Sequence, residues 1–127
     1  MSLPLLPSAD LPVGFAYPPE FLHILTLGVR TLDPWAILGG EELKSRASGM
    51  SGRFPDRILV PFARRIDNDD VACWDIGKGA GTISVIHDFA TPGWEQREEF
   101  DEFNDWLRRA IEDLIEYEYD SGVLPWP

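Results

Sequence analysis

Between residues 100 and 115, apolar side chains recur at the spacing of one face of an α-helix. Positions i, i+3, i+4 and i+7 share a face, so this run forms a wide apolar stripe. It predicts an amphipathic helix of about 22 residues, roughly 33 Å long, which begins near the acidic residues at 98–102 and ends near Gly122, before Pro125. The stripe consists of Phe100, Phe103, Trp106, Leu107, Ala110, Ile111, Leu114 and Ile115.

A helix of this length is long enough to cross a small sheet, and the middle of the sequence predicts strands. Residues 71–76 and 82–87 are apolar runs joined by a glycine-rich turn at residues 77–81, so they predict an antiparallel hairpin. Residues 58–65 predict a further strand. Pro61 within it indicates an edge strand or a β-bulge, because proline cannot donate a hydrogen bond to the sheet.

Two short helices are predicted before these strands. Residues 20–27 are apolar nearly all round, which favours a buried helix, and Gly28 is placed to end it. Residues 41–47 predict a second short helix that ends at Ser48 and Gly49.

The N-terminal residues are rich in proline, which sets them apart from the rest of the chain. Five of the eleven prolines lie in the first nineteen residues. Proline fixes φ and removes a backbone donor, so residues 1–17 are predicted to be irregular, followed by one domain over residues 18–127. The length of 127 residues fits a single domain. The predicted fold is α+β: an antiparallel sheet packed by helices, with a long C-terminal amphipathic helix.

The charge of the chain is strongly negative. It has 22 acidic and 11 basic side chains, and eleven of the acidic residues lie between positions 95 and 120. Such a surface repels a phosphate backbone, so nucleic acid is not expected as a partner. A basic protein partner would be attracted by it. The alternative interpretation is that the charge only keeps the protein soluble.

The cysteine and hydropathy patterns predict a cytoplasmic protein. Cys73 is the only cysteine, so the chain has no internal disulfide. The first basic residue is Arg30, so no secretory signal is expected. No apolar run approaches the ~20 residues of a membrane span, and no membrane partner is expected.

Known catalytic and cofactor motifs are incomplete in this sequence. The glycines at 77–81 lack the spacing of a phosphate-binding loop. The acidic run that starts at Asp67 has Val71 at the fifth position of a calcium loop, where an oxygen ligand is needed, so a turn is the preferred interpretation. Cys73 lies inside a predicted strand, where a thiol is usually an inert core residue. No cofactor is therefore expected.

Four of the five tryptophans divide into two groups. Trp106 belongs to the helical stripe and is predicted to be core. Three others lie in segments rich in proline and glycine, where they either pack within their loops or remain exposed as anchors for a partner. These three are Trp35, Trp94 and Trp126.

The stretch at residues 59–75 resembles the SUKH superfamily, which includes fungal cell-wall-synthesis regulators and bacterial toxin-immunity proteins. The similar features are the strand Val60-Pro-Phe-Ala63, the acidic turn 67–70, Asp70 with Asp75, His87-Asp88, the aromatic-led segment 100–107, and an N-terminal motif at 18–28. The usual opening amphipathic helix of the family is absent. The resemblance implies an antiparallel sheet packed by helices that binds proteins and has no catalytic centre.

Three functional hypotheses follow. The first is a non-enzymatic protein-binding domain, an immunity-type protein that masks a basic toxin or nuclease. The second is a small metal-dependent hydrolase that uses Asp67, Asp69, Asp75, His87 and Asp88. The third is a homodimeric structural subunit whose exposed tryptophans meet. For the first hypothesis the candidate partner-binding residues are Asp67, Asp69, Asp70, Trp74, Asp75, His87 and Asp88, and no catalytic or metal-binding residue is expected.

Overall fold

The computed structural model describes residues 3–117, which form an α+β domain of six antiparallel strands and three helices. A short 3-10 helix (Ser8–Asp10) precedes these elements. The elements are α1 (Pro19–Thr26), β1 (Thr31–Leu32), β2 (Trp35–Ile37), α2 (Gly40–Arg53), β3 (Leu59–Arg65), β4 (Asp70–Asp75), β5 (Ile83–His87), β6 (Gln96–Phe100) and α3 (Phe103–Glu116). The predicted fold class is therefore confirmed.

The order of strands in the sheet is the same as their order along the chain, and each strand is antiparallel to its neighbours. Asp70, the first residue of β4, pairs with His87, the last residue of β5. The β3–β4 turn and the β5–β6 loop therefore lie at the same end of the sheet. The β1–β2 turn joins them there, because the backbone N–H of Ile66 donates to the carbonyl of Pro34 at 2.8 Å.

Both faces of the sheet are covered, although antiparallel sheets often leave one face in water. All β4 residues after Asp70 are buried, and successive side chains of a strand point to opposite faces. Trp74 on one face contacts Phe21 of α1 and Phe103 of α3. Helix α2 lies over the other face, where its Glu42 pairs with Arg64 of β3.

Trp74 is the centre of an aromatic cluster that joins the sheet to its covering elements. Its ring centroid lies 4.3 Å from that of Phe62 and 5.0 Å from that of Phe21. Phe15 and Tyr17, each 5.5 Å away, extend the cluster into the N-terminal segment. The N-terminal segment, which the sequence predicted to be irregular and to precede the domain, thus packs against the domain through Phe15 and Tyr17.

Helix α2 is longer than the sequence predicted. It continues through Ser48 and Gly49 to Arg53, although glycine within a helix costs about 1 kcal/mol relative to alanine. The added turns bury Met50 and bring Arg53 to the carboxylate of Asp88. These tertiary contacts offset the weak helix propensity.

Pro61 lies at a β-bulge in β3, which is one of the two structures that the sequence predicted for it. The register between β3 and β4 shifts between Pro61 and Ala63. The alternative, an edge strand, is wrong, because β3 lies between β2 and β4. The predicted hairpin of the two following strands is confirmed as β4 and β5.

The C-terminal helix is shorter than predicted, because its supposed first turns form a strand. Residues of β6 pair with β5, and Phe100 lies opposite Ile83. Their sequence is mostly charged and does not alternate, so only the backbone pairing with β5 makes them a strand. The helix ends at Glu116, before Gly122, which lies outside the described residues together with Pro125 and Trp126.

Replacing Trp74 with alanine should destabilise the domain by about 3–5 kcal/mol, because it empties the centre of the aromatic cluster. Trp94→Ala is the matched control: its side chain is largely exposed, so a change within about 0.5 kcal/mol is expected. Urea denaturation followed by circular dichroism measures both values. Equal losses for the two variants would contradict the central role of Trp74.

Candidate functional site

Large apolar side chains remain exposed at the end of the sheet where three turns meet. Ile66 of the β3–β4 turn is 47% exposed, and Phe89 and Trp94 of the β5–β6 loop are 62% and 81% exposed. Asp67 and Asp69 of the β3–β4 turn are also exposed. We call these five residues the sheet-end surface. It combines apolar anchors with negative charge.

Phe89 points outward because of its backbone conformation. Its φ is +69°, in the left-handed region that costs a non-glycine residue roughly 1–2 kcal/mol. Its backbone N–H donates to Oδ1 of Asp88 at 2.9 Å. The guanidinium carbon of Arg53 lies 4.2 Å from the centre of the Phe89 ring, within the range of a cation–π contact. These contacts hold the ring in place.

Asp88 anchors the beginning of the β5–β6 loop. Its side chain is fully buried and accepts two hydrogen bonds from Arg53, both at 2.7 Å, and one from Arg46 at 2.8 Å. Its backbone N–H donates to the carbonyl of Asp69 at 2.9 Å, which ties the loop to the β3–β4 turn. Burial raises the pKa of the Asp88 carboxyl, but the two arginines outweigh this effect and the pKa is lowered.

Glu95 anchors the other end of the same loop. Its carboxylate accepts a hydrogen bond from the backbone N–H of Gly93 at 2.6 Å and one from Arg57 at 2.9 Å. Burial raises the pKa of Glu95, but the hydrogen bonds together lower it. Arg57 also binds Asp75, which accepts a hydrogen bond from Ser84 at 2.7 Å. Both ends of the loop at residues 88–95 are thus held by buried or nearly buried carboxylates.

The β3–β4 turn has the chemistry that the sequence predicted. The side-chain oxygen of Asn68 accepts a hydrogen bond from the backbone N–H of Asp70 at 2.7 Å, which is an Asx-turn. Arg65 donates two hydrogen bonds to Asp67, at 2.9 and 3.0 Å, and thereby lowers its pKa. Asp69 makes no side-chain ion pair within residues 3–117, so its charge faces solvent.

The predicted partner-binding residues are only partly brought together on this surface. Asp67 and Asp69 belong to it. Asp70 and His87 lie behind them, partly buried, with His87 Nδ1 and Asp70 Oδ1 at 2.9 Å from each other. A contact role for these four residues remains a prediction.

The surface position predicted for Trp74, Asp75 and Asp88 is wrong. All three are buried: Trp74 belongs to the aromatic cluster, and the two carboxylates pair with arginines. Of the residues that sequence reasoning missed, Ile66 and Phe89 had no local signal. Trp94 was recognised only as one of three tryptophans in loops rich in proline and glycine.

The residues of the hydrolase hypothesis do not form one site. Asp75 lies at the opposite end of β4 from Asp70, about 17 Å away at 3.3–3.4 Å per residue. The carboxylate oxygens of Asp88 already accept hydrogen bonds from two arginines. Within residues 3–117, no group of three or more His, Cys, Asp or Glu side chains is arranged to hold a metal ion.

Cys73 is buried in β4, and burial raises the pKa of its thiol well above the ordinary value. A thiol in this state is a poor nucleophile. In the described part of the chain, no helix is both long and apolar enough to cross a membrane.

Comparison with known proteins gives no relative from which a role could be transferred. No family model matches the sequence, and neither a curated protein nor a solved structure matches it. The resemblance to the SUKH superfamily stays a prediction that rests on its motifs.

Asp88→Asn should lower the free energy of unfolding at pH 7 by about 3 kcal/mol, because it leaves two partly buried arginines without their anion. The pKa of Asp88 is lower in the folded than in the unfolded chain. Its stabilising effect is therefore present above the ordinary Asp pKa near 4 and is lost as the pH falls through the folded pKa.

In urea titrations, the difference between wild type and Asp88→Asn should consequently stay nearly constant from pH 7 to about pH 5 and shrink as the pH falls below about 4. Asp69→Asn, which removes an exposed carboxylate from the neighbouring turn, is the control and should leave stability nearly unchanged. A constant difference between wild type and Asp88→Asn at all pH values would contradict the proposed electrostatic origin.

Proposed function

We propose that this protein is a non-enzymatic binding domain whose sheet-end surface contacts a basic protein. We further propose that it is an immunity-type protein that masks a basic toxin or nuclease in the cytoplasm. The observation that carries the binding proposal is the presentation of Phe89 and Trp94, both exposed, on a loop whose two ends are anchored by carboxylates.

Exposed aromatic side chains on a fixed loop are suited to binding. A tryptophan or phenylalanine offers roughly 150–250 Å² of contact area, and tryptophan is enriched among the residues that dominate interface energies. Binding normally costs free energy because loops and side chains must be ordered. The hydrogen bonds of Asp88 and Glu95 already order this loop in the free protein, which lowers that cost.

The charge of the sheet-end surface supports a basic partner. Asp67 and Asp69 flank the apolar anchors, and the chain carries a net charge of −11. A field of this sign accelerates association with a positively charged protein and disfavours nucleic acid. Because exposed charges are screened beyond about 10 Å at 0.1 M salt, the association rate should fall as ionic strength rises.

The immunity role rests on the resemblance of residues 59–75 to the SUKH superfamily, many of whose members are bacterial toxin-immunity proteins. Cytoplasmic location is supported by the single thiol, Cys73, which is buried and free. A protein that masks a toxin needs a binding surface and no reactive centre. The sheet-end surface supplies such a surface.

Trp94→Ala should weaken binding of the partner by about 30-fold, the effect of losing an interface residue worth about 2 kcal/mol. Ile58→Ala is the matched control, because Ile58 is 53% exposed and precedes β3 at the end of the sheet where Leu59 pairs with Asp75, opposite the sheet-end surface. Tagged wild-type protein is used to retain binding proteins from native lysate at low and at high salt. The affinity of each retained and purified protein for wild type and for both variants is then measured.

Immunity is tested by co-expressing each retained partner with wild type or Trp94→Ala and counting viable cells. Protection by wild type that Trp94→Ala reduces would support the proposal. Absence of any retained protein at low salt, or equal affinities for Trp94→Ala and Ile58→Ala, would contradict it. Sedimentation of the purified chain identifies a self-associating dimer, and a dimer that Trp94→Ala disrupts would favour the homodimeric alternative.

A further inference from the structure

A cleft of about 800 Å³ lies away from the sheet-end surface. Its walls are the N-terminal segment, one side of α2 and the residues that lead into β3. Leu59, which lines it, pairs with Asp75 at the end of β4, so the cleft opens at the opposite end of the sheet. A volume of this size falls in the range of pockets that hold small molecules, roughly 300–1,000 Å³.

Small side chains on α2 leave this space open. Ala47, Ser48 and Ser51 line the cleft together with Lys44, and their spacing of three and four residues places them on one face of the helix. The N-terminal segment passes this face without filling the gap, although its Leu6 is buried in the core. The cleft is thus part of the packed domain.

The cleft exposes apolar surface to water. Val13 and Ile58 line it and are 103% and 53% exposed, while Met50 and Val60 form buried parts of the lining. An apolar molecule that covered these side chains would gain free energy in proportion to the area removed from water. The lining therefore favours a ligand with an aliphatic body.

Lys44 gives the cleft a free positive charge. Within residues 3–117 every arginine and Lys78 make a hydrogen bond or an ion pair, whereas Lys44 makes neither. This is notable in a chain with twice as many acidic as basic side chains. Asp10 also lines the cleft but forms no ion pair with Lys44. The ammonium group is therefore available to an anionic ligand.

We propose that this cleft binds a small aliphatic carboxylic acid. The hydrocarbon chain lies against Leu11, Ile58 and Val60, and the carboxylate pairs with Lys44. Arg57, the other cation of the lining, already binds Asp75 and Glu95, so Lys44 selects the head group. The negative charge of Asp10 weakens this binding. The inference does not depend on the sheet-end surface.

The proposal is tested by calorimetry on the full chain with octanoate, decanoate and dodecanoate below their micelle concentrations. Each buried CH₂ should tighten binding about fourfold. Dodecylamine and dodecanol, which lack the anionic head, should bind at least tenfold more weakly than dodecanoate.

Matched variants test whether Lys44 binds the carboxylate head group of the ligand. Lys44→Ala should weaken dodecanoate binding about tenfold, and Asp10→Asn should tighten it. Lys78→Ala removes the same charge at the β4–β5 turn, outside the cleft lining, and should leave the affinity unchanged. Ala47→Trp fills the cleft and should abolish binding, with circular dichroism verifying the fold of each variant.

Three results would overturn the proposal: no dodecanoate binding by wild type, equal binding of dodecylamine, or equal effects of Lys44→Ala and Lys78→Ala. Trp94→Ala, which affects only the sheet-end surface, should bind dodecanoate like wild type. The experiments can thus distinguish a failure of the partner-binding proposal from a failure of the acid-binding proposal.

Discussion

The buried carboxylate of Asp88 joins helix α2 to the β5–β6 loop. A buried charge without partners costs several kcal/mol, so this carboxylate requires both Arg46 and Arg53. That requirement brings α2 over the sheet and extends the helix to Arg53. The same residue turns Phe89 outward and joins the β5–β6 loop to the β3–β4 turn. The position of Phe89 and the junction of the two turns therefore depend on one buried carboxylate.

Helix α2 connects the two candidate sites at opposite ends of the sheet. Its arginines hold the loop that carries Phe89 and Trp94, whereas its small residues and Lys44 form one wall of the cleft. Within residues 3–117, every arginine and Lys78 neutralise a carboxylate or bind a carbonyl, and among the lysines and arginines only Lys44 is left for a ligand.

The sequence predicted those parts of the fold whose signals are local. The hairpin of β4 and β5 and the bulge at Pro61 follow from strand alternation, glycine turns and the missing proline donor. Strand β6 was missed because its charged residues become a strand only by pairing with β5. The end of α2 was missed because Met50 and Arg53 find their contacts in distant parts of the chain.

The candidate site likewise contains residues that local sequence signals predicted and residues whose positions depend on distant contacts. Asp67 and Asp69 were predicted to be surface residues because short polar side chains favour turns. The burial of Asp88 depends on Arg53 and Arg46, which lie 35 and 42 residues away in the sequence. The outward position of Phe89 depends in turn on Asp88. No local pattern contains this information, so both residues needed the structure.

The sequential order of the strands also has a consequence for folding kinetics. Four of the five strand pairs are joined by a short turn or loop, so their contacts have short sequence separation and the loop-closure entropy of each is small. Strand β2 is the exception, because it pairs with β3 across the whole of α2. We expect the β3–β5 region to form an early nucleus to which β6 is added as a hairpin. The contacts of α2 with Asp88 close loops of 35 and 42 residues, longer than those of the hairpins, so the β5–β6 loop should acquire its final shape late in folding.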